Sequence, residues 1–222
     1  MAGESDEKFT EEIISIFPSG NMGEKYPIEY GNIRREGIKT PTRVAFSAIS
    51  TLSRDAVNML GTMRVLRSIL SYEYLWNKVR VQGGAYGAGF IPRKSGEICC
   101  YSYRDPSPRN SLECYKGAGE YLRELVGSGE DLTKFIIGAI GEYDVLRTPR
   151  SEAAQGLYDL IVGWTPMMEE KLYSDMINTS GEDILRAADI IDEAISRASV
   201  AVAADEMTLS DKELGLDRVL GA

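Results

Sequence analysis

The segment Arg80-Val81-Gln82-Gly83-Gly84-Ala85-Tyr86-Gly87-Ala88-Gly89-Phe90 holds the residue types best suited to chemistry. It joins a permanent cation, close-spaced glycines and a phenol. The Arg80 guanidinium presents several N–H donors in a fixed fork, suited to a carboxylate or to the oxyanion that develops on an attacked carbonyl. The Tyr86 hydroxyl adds one more donor of the same kind. Gly83 and Gly84 leave room for a substrate backbone to come close. The same residues also describe an ordinary helix-to-strand turn with a surface Arg and Tyr, and composition alone leaves both readings open. A phosphate loop is excluded: the Lys-Ser/Thr ending is missing, and the glycines close a helix instead of opening one.

The remaining titratable groups narrow the chemistry. The 222-residue chain contains no histidine. Ser-His-Asp and Cys-His catalysis and every His-based zinc site are therefore absent from it. Three cysteines, Cys99, Cys100 and Cys114, are odd in number and lack CxxC spacing. They fit strand residues in a reducing compartment better than a disulfide framework or a thiolate zinc site. Glu120 with Glu124, Asp189 with Asp192 and Glu193, and the Glu169-Glu170 pair read as solvated helix faces. A net charge of −9 with scattered Lys and Arg argues against a nucleic-acid partner. No apolar run reaches the roughly 20 residues a bilayer span requires. The acidic first residues resemble neither a signal nor a transit peptide, so the compartment reads as cytoplasm or an organellar lumen, with no membrane.

The elements that must position Arg80 and Tyr86 are legible in outline. Residues 1–30 read as a polar lead-in with one amphipathic stretch, Phe9 to Phe17, and residues 31–222 as the domain proper. The spacing predicts a strand over 43–50. A long helix follows, capped at Asp55, with Met59, Met63, Leu66, Ile69 and Leu70 on its apolar face. It continues through Tyr74-Leu75-Trp76, where Trp76 reads as packing, and ends at the glycines. Strands over about 85–93 and 97–104 flank the turn Arg93-Lys94-Ser95-Gly96, and Asp105-Pro106 stops the second. Helices follow on the stripes Leu112 to Val126 and Phe135 to Leu146, then near 151–163. Thr165-Pro166 and Ser180-Gly181-Glu182-Asp183 open two more. A last strand covers 199–204, and Leu209 to Leu220 reads as a terminal helix. Partly segregated strands and helices indicate an α+β fold with helices on one face of a sheet.

Tyr74-Leu75-Trp76-Asn77-Lys78-Val79-Arg80, running into Gln82-Gly83-Gly84-Ala85-Tyr86-Gly87, resembles the signature of the last domain of presequence-protease-like peptidases, a branch of the pitrilysin/insulinase family. Gly37 to Thr42, Ser102 to Pro106 and Phe135 to Ile140 match that branch in the same order, and the similarity covers roughly residues 10–220. The resemblance implies a LuxS/metallohydrolase-like, pitrilysin-type α+β domain with a mixed, mostly antiparallel sheet. It implies a zinc metalloendopeptidase of two halves around a closed chamber. The zinc and a Glu base lie in the other half. This half supplies Arg80 and Tyr86 to position peptide and stabilise the tetrahedral intermediate. Beside that pair, the residues themselves place Gly83 and Gly84 on the substrate side, and Arg104 or Tyr103 as a further lining residue.

On that reading the chain holds no zinc or other cofactor itself and is inactive alone. Its partner is the zinc-bearing N-terminal half, on the same polypeptide or a separate subunit. Excision at a domain boundary fits the polar lead-in slightly better than a natural subunit does. For Arg104, a local contact with Asp105 competes with the substrate role. Two other functional classes stand beside the helper role: a scaffold domain on the same fold, and a module that binds peptide by β-addition at a sheet edge.

Overall fold

The computed structural model describes residues 15–16 and 34–221. The lead-in over residues 1–30, including the stretch Phe9 to Phe17, lies outside the described residues apart from Ser15 and Ile16. From residue 34 the chain forms strands β1 (Arg35–Lys39), β2 (Ala45–Leu52), β3 (Gly87–Pro92), β4 (Glu97–Asp105), β5 (Ser199–Ala204) and β6 (Arg218–Leu220). They make one sheet in the order β3-β4-β2-β5-β1-β6. The β3–β4, β4–β2 and β2–β5 pairs are antiparallel, while β1 runs parallel to both β5 and β6. The sheet is mixed and mostly antiparallel, as the resemblance implies.

Strand alternation gives the sheet a covered and an open face. Ser47, Ile49, Phe90, Ile98, Cys100, Ser102, Val200 and Val202 are buried against the helices. Ile38, Phe46 and Tyr103 stand exposed on the other side. There Tyr103 pairs with Gly87 and Tyr101 with Gly89. The rings lie over the glycines, so a Cβ on Gly87 would sit 2.4 Å from the Tyr103 ring. Large aromatics thus cover the bare backbone of an edge strand, which supports its register.

The long helix after β2 is three pieces. A short α1 (Arg54–Asn58) is capped by Ser53, whose side chain accepts from the Ala56 N–H; Asp55 sits inside the first turn and is not the cap. The chain breaks at Met59 and resumes as α2 (Leu60–Ile69), whose buried face carries Met63, Leu66 and Ile69. Leu70–Gln82 is then a π-helix. Its buried residues are Leu70, Ser71, Tyr74, Leu75 and Val79.

After β4 come α3 (Pro108–Lys116), α4 (Ala118–Gly127), α5 (Thr133–Tyr143), α6 (Pro149–Val162), α7 (Pro166–Ile177) and α8 (Gly181–Ser196). Thr148, Thr165 and Ser180 cap the last three, and Ser180 with Asp183 forms a full capping box. The predicted terminal helix is corrected. Glu206–Leu209 is a single helical turn, α9, capped by Asp205, and Lys212–Leu214 a 3₁₀ turn. Gly215, at φ +58, then redirects the chain into β6 beside β1. Strand β1 was not predicted either; its pairings to β5 and β6 are long-range and leave no local signature.

Glu120, Glu124, Glu170, Asp189 and Glu193 are exposed on helix faces, as expected, while Glu169 and Asp192 are only partly so. Arg123 on α4 reaches Asp189 (2.6 Å) and Asp192 (2.8 Å) on α8. Glu169 accepts from Trp164 Nε1 (2.5 Å) and the Tyr143 hydroxyl (3.1 Å). Among the described residues no helix is long and apolar enough to cross a membrane.

One buried charge ties β4 to the helices. Asp105 is 1% exposed. Its carboxylate accepts from Ser102 Oγ (2.6 Å), Ser111 Oγ (2.6 Å) and the Ser107 N–H (2.8 Å). Ser47 joins Ser102 (2.8 Å) and the buried Tyr115 hydroxyl (3.3 Å), extending the network into β2 and α3. A buried carboxylate is tolerated when its lone pairs are filled in this way. Asp105→Ala strands two hydroxyls and an N–H. We expect a loss of about 3 kcal/mol in urea-unfolding stability, the scale for breaking a buried polar network.

Candidate functional site

Arg80 stands in the last turn of the π-helix, one turn beyond Trp76. Its guanidinium carbon lies 3.8 Å from the centre of the Trp76 ring, close enough for a cation–π contact that fixes the plane of the fork. Gly83 caps the helix, its N–H donating to the Arg80 carbonyl. A Cβ at Gly83 would lie 2.6 Å from the Val79 carbonyl oxygen, so the helix end closes on bare backbone. Gly84 turns the chain at φ +80, a conformation that disfavours side chains. Ala85 is buried and donates to the Val79 carbonyl (3.1 Å). The chain then emerges at Tyr86, whose N–H reaches the Tyr103 carbonyl (3.2 Å). Tyr86 is 59% exposed.

A β-bulge brings in the next member. The β2–β4 register pairs Phe46 with Tyr103 and Ala45 with Asp105, leaving Arg104 as the extra residue. Arg104 has φ +47, the one positive value on a described non-glycine residue. Bulges of this kind bend a strand and re-aim a side chain. Here the Arg104 guanidinium comes to 5.4 Å from the centre of the Tyr86 ring. It makes no contact with the Asp105 carboxylate, which is turned into the core; the expected local Arg–Asp pair is corrected. Trp76, Arg80, Val81, Gly84, Ala85, Tyr86 and Arg104 line one concavity of about 560 Å³.

The electrostatics of this concavity are unusual for an acidic chain. Among the described residues, neither Arg80 nor Arg104 has a carboxylate partner. Two uncompensated guanidinium groups flank an exposed phenol, an arrangement able to take a carboxylate or a carbonyl gaining negative charge. Thiol chemistry is not on offer: burial raises the pKa of Cys99, Cys100 and Cys114, and all three are unpaired. Among the described residues no group of three His, Cys, Asp or Glu is placed to hold a metal ion, so these residues do not fit a zinc site. The β3 edge beside the concavity is largely closed to an added strand. The Phe90 N–H donates to Ser71 Oγ (3.0 Å), that hydroxyl donates to the Phe90 carbonyl (3.4 Å), and Pro92 has no N–H to offer.

Sequence reasoning singled out Arg80, Gly84, Tyr86 and Arg104, and the structure brings them together. Gly83 lies just outside the lining, at the helix end. Trp76 was read as packing, yet it lies half exposed beneath Arg80. The four-residue spacing of Trp76 and Arg80 on a helix was the available signal.

The model of the PreP C-terminal domain matches residues 35–205. The chain belongs to this family. It is 29% identical over 217 residues to "Protein HypA" of Clostridium perfringens, covering 95% of the chain and 22% of that protein. It is 34% identical over 178 residues to "Presequence protease 1, chloroplastic/mitochondrial" of Arabidopsis thaliana, covering 78% and 16%. The chain thus spans less than a quarter of the length of these relatives. Among solved structures, a "peptidase M16 inactive domain" from Pseudomonas fluorescens superposes with a TM-score of 0.65 at 13% identity, over 92% of this chain and 51% of that one. Pitrilysin gives 0.57 at 14%, over 86% and 22%. At these identities the likeness concerns the fold, a pitrilysin-type domain.

The bulge yields a test of strain. A non-glycine residue held at positive φ costs roughly 1–2 kcal/mol, partly offset in glycine by greater unfolded-state freedom. Arg104→Gly should therefore raise unfolding stability by about 0.5–1 kcal/mol, whereas Arg104→Ala should not. Denaturant midpoints of the two variants measure the difference.

Proposed function

We propose that this domain is the non-zinc-binding C-terminal part of a zinc-dependent metalloendopeptidase, closing one side of the peptide chamber. The observation that carries this reading is the convergence of Arg80, Tyr86 and Arg104, with no acceptor of their own, on one open concavity. Arg80, steadied by Trp76, would donate to the carbonyl oxygen of the scissile peptide as it gains charge. Tyr86 would add a second donor, and Arg104 would attract the peptide through its carboxylates. The bare backbone at Gly83 and Gly84 would let an extended peptide lie close. The open sheet face, with Phe46 and Tyr103 exposed, supplies an apolar surface beside these polar groups.

The partner is the zinc-bearing half, on the same polypeptide or as a separate subunit, and the substrate is peptide. Unpaired thiols suit a reducing compartment, the cytoplasm or an organellar lumen. Names of relatives point the same way: presequence proteases, and inactive domains of peptidases. A pure scaffold role would not call for two uncompensated guanidinium groups beside an exposed phenol. Strand addition is disfavoured by the closed β3 edge.

Mixing this chain with the zinc-bearing half from the same source tests the proposal, read out as cleavage of a fluorogenic peptide. The chain alone should be inactive and the mixture active. Arg80→Ala and Tyr86→Phe should each lower kcat by about 10²-fold, the loss typical of a single oxyanion donor. Full turnover in both variants would remove the assigned roles. Cleavage by the chain alone would overturn the larger claim.

A further inference from the structure

We infer that a second cavity, beneath the start of α6, is an oxyanion-binding site built on Arg64 and Arg147. The cavity holds about 330 Å³ between α2, the β3–β4 turn, the end of α5 and α6, at the small end of ligand-site volumes. Arg64, Arg93, Lys94, Arg147, Tyr143 and Tyr158 line it, with Glu142 as its single acidic group. It is separate from the Arg80 concavity. Tyr86 precedes the first residue of β3 and Arg93 follows the last, which sets them about 20 Å apart along the strand.

The charges there do not balance. Arg93 is satisfied by Glu97 (2.9 Å), and Lys94 by Asp159 (3.0 Å) and Glu169 (3.5 Å). Glu142 is taken by Arg67 (3.0 Å) and by the Tyr72 hydroxyl (2.5 Å). Arg64 and Arg147 remain, neither with a carboxylate among the described residues. Arg64 is half-buried, and its Nε is sealed from solvent with no acceptor. Its ring contact is the face of Tyr143, 5.2 Å away; Glu142 and Glu169 attract it from farther off, without an ion pair, and Arg67 repels it. Burial depresses its pKa, desolvation being the main cause. A guanidinium drawn partly out of water without an acceptor is costly, and an oxyanion in the cavity would meet the part of the Arg64 fork that lines it, not the sealed Nε. Planar forks from Arg64 and Arg147 suit a phosphate or a carboxylate equally.

Arg147 also borders the neighbouring cleft that holds Glu152, Asp159, Glu169 and Glu170. Of these, Asp159 and Glu169 are engaged by Lys94. Helix α6, which follows Arg147, buries none of its side chains and exposes Leu157, Leu160 and Ile161. An anion shared by Arg147 and Arg64 would tether the entry of this loosely held helix to α2.

Titration of the 222-residue chain with inorganic phosphate at fixed ionic strength, followed by calorimetry, tests the site. A second arm uses a short acetylated peptide with a free C-terminal carboxylate against its amide, to separate a free ion from a peptide end. Saturable binding with a Kd on the order of 1 mM is expected in at least one arm. Hydrogen exchange of the α6 amides should slow with it. Arg147→Gln, at an exposed position, should weaken binding by about tenfold or more, the loss of a charge-assisted contact. Arg150→Gln, exposed on α6 and outside the cavity lining, should leave it unchanged. Absence of saturable binding in both arms, undiminished binding in Arg147→Gln, or an equal loss in Arg150→Gln would each overturn the assignment.

Discussion

The buried Asp105 carboxylate is the constraint on which the site depends. It closes β4, receives Ser107 at the head of α3 and Ser111 one turn later, and binds Ser102 back along its own strand. A charge in this position must have its lone pairs filled, and three donors from two elements fill them. The chain between Tyr103 and Asp105 then has one residue too many for the register with β2, and Arg104 bulges out at positive φ. The strain at Arg104 and its place over Tyr86 are two results of one core interaction. The other wall of the concavity is set independently, by the π-helix that stacks Arg80 on Trp76 and ends on glycine backbone.

Much of this was legible in the sequence where local chemistry decides. The hairpin around Arg93 to Gly96, the caps Thr165 and Ser180 and the strand over 199–204 all carry short-range signals, and all are present. Most of the failures fall where distant partners decide. Strand β1 exists because β5 and β6 accept it. The tail folds as β6 because Gly215 turns it toward β1. The long helix carries a continuous apolar stripe, but Met59 breaks it upstream and the segment after Ile69 winds as a π-helix. Reading Asp55 as the cap overlooked Ser53, two residues earlier.

The site divides in the same way. Arg80, Gly84 and Tyr86 lie within one short segment, so residue types and spacing exposed them together. Arg104 was visible as a residue, but its direction was not. An Arg beside an Asp suggests a local pair, and only the burial of Asp105 and the bulge show that the two side chains part company. Trp76 was hidden by its hydrophobicity, since a tryptophan on a helix is ordinarily core.

The sealing of β3 by Ser71 reaches beyond recognition. A sheet that exposes both an apolar face and a free edge is a nucleus for cross-β growth, since each added strand regenerates the edge it occupied. Here one hydroxyl occupies both outward groups of Phe90, and Pro92 withholds a third. The open face can therefore lie beside extended chains without serving as a seed for fibrils at that border. A single buried serine thus takes up strand-pairing groups that an edge beside exposed aromatic residues would otherwise offer.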